Sequence, residues 1–231
     1  MTDWSVTEPM SVTPLSDSAR RRAPDERPQQ ILDAALQVFD EHGLDGARLD
    51  DIARRAGIAK GTIYLYFPNK EELFREVVRQ TVVSRLRLAE STLAATGADR
   101  SAVDQLRQYM REWWDFLRTP ATTAVYRLVI GELHRFPELM TFYLEEAVVP
   151  ARRLVTGIIE RGVALGEFRP VDPAGASRTL ASMFVTHALW LCKQQTSDAL
   201  GTLTADQVYD QICDFALHAL RAVSPAGSPN A

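Results

Sequence analysis

Apolar residues recur along this chain at helical spacing, and strand-like alternation persists nowhere. Ile31, Leu32, Ala35, Val38 and Phe39 share one face of a first helix that begins at Pro28, and Gly43 supplies its stop. A short second helix covers residues 49–56, with Leu49, Ile52 and Ala53 inward and Gly57 at its end. A third covers residues 60–66 and halts before Pro68. Asn69, with Glu72 three positions later, makes a capping-box pattern that opens a fourth helix. That helix carries Leu73, Phe74, Val77 and Val78 and runs to about residue 93, where "AATGADRS" breaks it.

Five longer helices follow. The fifth covers residues 101–118 and the sixth 121–135, stopped by Pro137. The seventh covers 138–165, with Pro150 expected to kink or split it and Gly166 to end it. Asp172 and Pro173, a cap and a first-turn proline, start an eighth helix reaching about residue 195. Thr204 and Gln207 repeat the capping-box pattern and start a ninth that reaches residue 223. The pattern predicts an all-α protein of about nine helices. Residues 1–27, rich in Ser, Thr, Pro and Arg, read as a disordered tail, and residues 224–231 as another.

The second and third helices, joined by the four-residue turn 57–60, have the form of a helix-turn-helix. Gly57 permits the sharp turn, and Ile52, Ala53, Ile58 and Ile63 can pack the two helices together. Lys60, Gly61, Thr62, Tyr64 and Tyr66 are left on the outer face. Two tyrosines make a poor solvated surface and a good DNA surface. Lysine reaches a phosphate or a guanine edge, threonine offers a hydroxyl and a methyl, and glycine lets the groove come close. Lys70 adds to this. It opens the fourth helix, where the macrodipole disfavours a cation by up to about 1 kcal/mol, and a phosphate docked on that N-terminus would account for it.

Charge changes the picture only locally. The formal net charge of the 231 residues is -4, so the chain as a whole has no electrostatic case for a nucleic-acid or membrane partner. Residues 1–79 hold 11 basic and 14 acidic side chains, a net of −3. Yet residues 57–70 contain Lys60 and Lys70 and no acid, with Arg48, Arg54 and Arg55 nearby. Arg20, Arg21 and Arg22 read equally well as a minor-groove arm or as a solvated run.

At this point a resemblance enters. "ILDAALQVFDEHGLDGARLDDIARRAGIAKGTIYLYFPNKEELF" resembles the DNA-binding domain of TetR-family transcriptional regulators, in its first-helix pattern, "IA..AG", "KGT.Y.YF" and the "K.EL" start of the fourth helix. "ELHRFPELMTFY" is similar to one of the family's C-terminal subtypes. The resemblance implies a helix-turn-helix domain over residues 28–74 and an effector-binding and dimerisation domain over 75–223. It implies a homodimer on double-stranded operator DNA, paired through the eighth and ninth helices, with a ligand cavity among the fourth to eighth. Carried over by motif, Lys60, Gly61, Thr62, Tyr64, Tyr66 and Lys70 touch DNA. One position departs: Arg48 stands where the family caps the second helix with Ser or Thr, and it is expected to pair with phosphate or with Asp51.

Remaining features divide between core and site. The aromatic group in "REWWDFL" is more often core than ligand wall, but the family context makes a wall equally plausible. The large side chains expected near the cavity are Trp113, Leu117, Tyr126, Ile130, Phe136, Met140, Tyr143, Met183, His187 and Trp190. The eighth and ninth helices are apolar over more than one stripe, so they need two neighbours; Leu180, Phe184, Leu191, Val208, Ile212 and Phe215 are the dimer-interface candidates. His134 and His187 are read as polar points in that cavity or satisfied core residues. No histidine has metal-ligand spacing, no catalytic constellation or glycine-rich loop appears, and no cofactor is implied. Cys192 and Cys213 read as buried thiols of a reduced cytoplasm. No apolar run approaches a membrane span, and the N-terminus lacks the pattern of a signal peptide. The expectation is a cytoplasmic, ligand-responsive repressor released by a small apolar molecule. Open beside it stand a regulator answering to a protein partner, an activator, and a helical enzyme.

Overall fold

The computed structural model describes residues 27–96, 100–191 and 203–222. The arginines 20–22, Cys192, the expected end of the eighth helix at residues 192–195, and both expected tails apart from Arg27 lie outside them; Arg27 opens the first helix instead of closing a tail. Among the described residues nine helices form, and the only bridged backbone pair outside helices is Phe168 with Arg221.

Helix α1 (Arg27–Gly46) is broken at Gly43, whose φ of 71 is left-handed. Helices α2 (Leu49–Arg55) and α3 (Lys60–Tyr66) follow, turned at Gly57 (φ 67). Helix α4 covers residues 70–96 as Lys70–Val78, a π turn at Arg79–Val83, and Ser84–Thr96. Helices α5 (Ala102–Leu117) and α6 (Pro120–Glu132) come next, the latter trailing into a 3-10 turn at Leu133–Arg135. Helix α7 covers residues 137–164 as Pro137–Tyr143, a π turn at Leu144–Val148, and Val149–Ala164. Helices α8 (Pro173–Leu191) and α9 (Ala205–Leu220) complete the chain.

Local chemistry explains most ends. Asn69 Oδ1 accepts from Glu72 N at 2.8 Å, but Glu72 turns to Arg75 rather than closing a full capping box. Thr204 and Gln207 close theirs in both directions. Helix α6 starts one residue before the sequence suggested, because Thr119 caps it and Pro120 fits the first turn, where no N–H is needed. Helix α9 stops short of residue 223, since Arg221 leaves it to pair with Phe168, and Arg169 N bonds Leu220 O at 2.9 Å.

Pro150 does not split α7. A proline there removes one i→i−4 bond and crowds the carbonyl four residues back. The π turn just before it widens the backbone at that carbonyl, and the helix continues through Val148 and Val149.

Two cores hold these helices. The first contains Ile31, Phe39, Ile52, Ile63 and Phe74 of α1–α4. It continues without interruption into Val125 and Leu128 of α6 and Leu139, Tyr143 and Ala147 of α7. Phe39 and Phe74 meet edge to face at 6.0 Å inside it. The second joins Leu106, Met110 and Trp114 of α5, Ile158 and Ile159 of α7, Leu180 and Phe184 of α8, and Ile212 of α9. The helix-turn-helix head is thus packed directly on the body rather than tethered to it.

Candidate nucleic-acid interface and ligand cavity

Helix α3 is seven residues long and buries one of them, Ile63, at 0% exposure. Every other side chain from Lys60 to Tyr66 is exposed or half-buried. Tyr64 is 47% exposed, Tyr66 40% and Leu65 84%. Leu65 went unnoticed in the sequence, although its position could have revealed it: two residues from the buried Ile63, it lies on the far side of a 3.6-residue helix. An apolar side chain so exposed on this face can meet a thymine methyl in a major groove.

Gly61 makes the same point from the other direction. A Cβ built there meets nothing within 4 Å, so nothing inside the protein requires a glycine. Gly61 stands in the first turn of α3, where glycine is a weaker helix former than alanine.

Asp50 of α2 organises this face and had no signal in the sequence spacing. Its carboxylate accepts from Lys60 Nζ at 2.8 Å and from Tyr64 Oη at 3.3 Å. The lysine hydrogen bond holds the Asp50 carboxyl below the usual carboxylate range and raises the Lys60 ammonium in turn. Arg48 is exposed and makes no cap; the expected Asp51 partner is taken by Arg54, three residues on. Lys70 has an internal role that the macrodipole reasoning missed: its Nζ donates to Asp45 O at 2.6 Å, at the C-terminal end of α1.

Behind the head lies a cavity of about 310 Å³, walled by helices α4 to α8. Of the side chains expected there, Trp113, Tyr126, Ile130 and Tyr143 line it. The others do not. Leu117 and Met183 pack in the second core, and Phe136 and Met140 pack against the first. Trp190 is 49% exposed beside His187, whose Nδ1 lies 2.7 Å from Met183 O one turn back. His134 is exposed on the 3-10 turn, neither core nor cavity. Spacing along a helix could not tell these faces apart, because α5, α7 and α8 each carry apolar residues on more than one side. Tyr126 and Tyr143 meet edge to face at 6.3 Å in the wall, and burial raises both phenols. Val82, Ala147 and Val148, all from the two π turns, also line the cavity.

Helix α6 connects cavity and head. Tyr126, Val129 and Ile130 face the cavity. Its last residue, Glu132, accepts from Leu44 N at 2.8 Å and Asp45 N at 3.3 Å, just past the break at Gly43 in the C-terminal end of α1. Arg127 pairs with Asp40 of α1, and Arg135 with Asp45 at 2.8 Å.

The dimer-interface candidates also separate. Leu180, Phe184, Val208 and Ile212 are at most 4% exposed and belong to the subunit's own core, because α5 and α7 occupy the stripe they present. Leu191 is half-buried, and Phe215 is 62% exposed.

Among the described residues no helix is long and apolar enough to cross a membrane, and no three His, Cys, Asp or Glu side chains gather as metal ligands. Two family profiles match the chain: "Bacterial regulatory proteins, tetR family" over residues 31–77, and "AefR-like transcriptional repressor, C-terminal domain" over residues 104–221. The repressor KstR2 of Rhodococcus jostii is 27% identical over 214 residues, 91% of this chain and 98% of its own length. The regulator RutR of Escherichia coli K12 is 30% identical over 157 residues, 67% of this chain and 70% of its own. In fold, the chain resembles the Bacillus subtilis regulator FadR solved in complex with stearoyl-CoA, with a TM-score of 0.65 at 20% identity, covering 84% of this chain and 99% of that one. With its head, body and exposed third helix matched in this way, the chain belongs to the TetR family of bacterial transcriptional regulators.

Proposed function

We propose that this protein is a cytoplasmic repressor that binds a palindromic operator as a homodimer and lets go when a small, largely apolar molecule enters the cavity. The observation that carries the DNA half is the composition of α3: one buried anchor, and an outward face of Lys60, Gly61, Thr62, Tyr64, Leu65 and Tyr66. We assign further phosphate contacts to the exposed Arg48 and to Lys70 at the start of α4. Two such helices in successive major grooves stand about 34–36 Å apart, so a dimer reads two half-sites one helical turn apart.

Pairing through α8 and α9 is supported by Phe215 and Trp190, large apolar side chains left exposed on those helices. Residues 28–74 act as the reading head and 75–223 as the sensing and pairing body. The relatives are transcriptional regulators, and we assign the chain no catalytic role.

Release follows from where the cavity stands. Its walls include α4, whose N-terminus holds the C-terminal end of α1 through Lys70, and α6, which holds the same end through Glu132. A molecule that spreads these helices moves the head, and the two recognition helices lose the groove spacing. It shifts the equilibrium only by its preference for the spread form. A protein of this fold has been solved with a long-chain acyl ligand, which supports a cavity ligand with an apolar body.

The test is selection of bound duplexes from randomised DNA by the purified protein. The proposal expects an inverted repeat with half-site centres about 10 base pairs apart. Enrichment of a single unrepeated site, or of none, refutes it.

A further inference from the structure

The cavity wall is largely aliphatic and aromatic, with Ser177 and Ser182 among its few small polar side chains. Its charged side chains are Arg152 of α7 and Arg178 of α8. Arg152 is half-buried, and its Nε–H is shut away from solvent without an acceptor. A guanidinium keeps its charge at any pH the fold survives, and every N–H it carries seeks an acceptor. Several arginines find carboxylates, as Arg75 does in Glu72, Arg111 in Asp206 and Arg135 in Asp45; Arg161 also buries an N–H without an acceptor, but it stands away from the cavity wall and gives another N–H to Arg100 O at 2.7 Å. Among the described residues no carboxylate forms an ion pair with Arg152 or Arg178. Asp172, which approaches the same turn of α8, is held by the backbone N–H groups of Gly175 at 2.9 Å and Ala174 at 3.2 Å.

A partly buried cation without a counter-charge is costly where water is scarce. Here it stands on the wall of a largely apolar cavity. We propose that the effector is an amphipathic anion: an oxygen of its carboxylate or phosphate head pairs with Arg152, and the exposed Arg178 adds a screened positive potential. Its apolar body lies against Trp113, Tyr126 and Tyr143. This rests on the reading of the cavity as the effector site and narrows it, since a wholly apolar molecule leaves Arg152 unmatched.

The test uses three matched series of straight-chain aliphatic probes, from eight to sixteen or so carbons: free carboxylic acids, their methyl esters and their coenzyme A thioesters. Binding to the full-length protein is measured by titration calorimetry. The acid or the thioester binds about 10- to 100-fold more tightly than the ester of the same chain, the range expected for a charge-assisted hydrogen bond. Arg152→Met removes that gap by weakening the anion alone and leaves the ester within about twofold; Arg152→Lys keeps part of it. Preference for the acid assigns a carboxylate head, and preference for the thioester a phosphate head. An ester that binds as well as both anions overturns the proposal while leaving the cavity reading intact. So does an Arg152→Met variant that weakens ester and anion alike. If none of the three series binds at any length, the cavity reading falls as well.

Discussion

The proposed release runs through the contact of Glu132 with the chain just after Gly43, and the two residues can be tested as a pair. Glu132 accepts from Leu44 N at 2.8 Å in a partly buried setting and from Asp45 N at 3.3 Å in an exposed one. A hydrogen bond to a charged group contributes about 1.5–3 kcal/mol, and the longer, exposed one adds a few tenths. Glu132→Ala therefore costs about 2 kcal/mol, or about 4–8 °C in Tm for a chain of this size. Gly43 has φ 71 and ψ 172, a region that side chains rarely enter, and forcing alanine there costs about 1–3 kcal/mol. Its new Cβ would also fall inside contact distance of the Glu132 carboxylate and push it off Leu44. Gly43→Ala thus loses the strain energy and the clamp together, about 3–5 kcal/mol. In a Glu132→Ala background the clamp is already gone, so the same change costs only the strain. Urea midpoints at one fixed protein concentration should give a coupling of about 2 kcal/mol between the two sites. Strictly additive changes would refute the clamp. In Glu132→Ala, an effector should also lose much of its power to release operator DNA, since α6 no longer holds the C-terminal end of α1.

Gly61→Ala should raise stability by up to about 0.5 kcal/mol, because the new methyl meets open space in the first turn of α3, yet weaken operator binding; the two are read by urea unfolding and fluorescence anisotropy. Phe215→Asp should raise the dimer dissociation constant measured by analytical ultracentrifugation, without lowering the helical content seen by circular dichroism. Burial raises the phenols of Tyr109, Tyr126, Tyr143 and Tyr209. A raised phenol contributes stability in full below the unfolded value of about 10, and loses it as pH climbs toward the folded value. Ultraviolet absorbance should therefore show these four ionising late, together with a fall in stability above about pH 10.

Helix order was legible in the sequence because caps and stops are local. Gly43, Pro68, Asn69, Gly166 and Thr204 each act within a turn of their own position. The face of α3 was legible for a related reason: a helix of two turns with one strong anchor leaves little doubt about which side faces out. Leu65 escaped because a leucine is read as core by default. The cavity was only partly legible. Trp113 and Trp114 are neighbours in sequence, yet one lines the cavity and the other is sealed at 0% exposure against Phe184 and Tyr209. Which tryptophan faces which way depends on where α8 and α9 pack, and no residue within α5 encodes that. The same applies to Leu180, Phe184, Val208 and Ile212, whose second apolar stripe is covered by α5 and α7 rather than left for a partner. The π turns left no periodic signature either, since one extra residue in a long helix shifts the apolar face without breaking it.

The central claim is that α3 reads DNA through its outward face, and operator affinity across salt concentrations tests it most directly. With the selected operator in hand, Lys60→Ala should weaken binding and lower the slope of log affinity against log salt by about 1, the signature of one lost phosphate contact. Tyr64→Ala should weaken binding by about 1 kcal/mol or more. If both variants bind as tightly as the parent chain with an unchanged salt slope, α3 is not the reading helix.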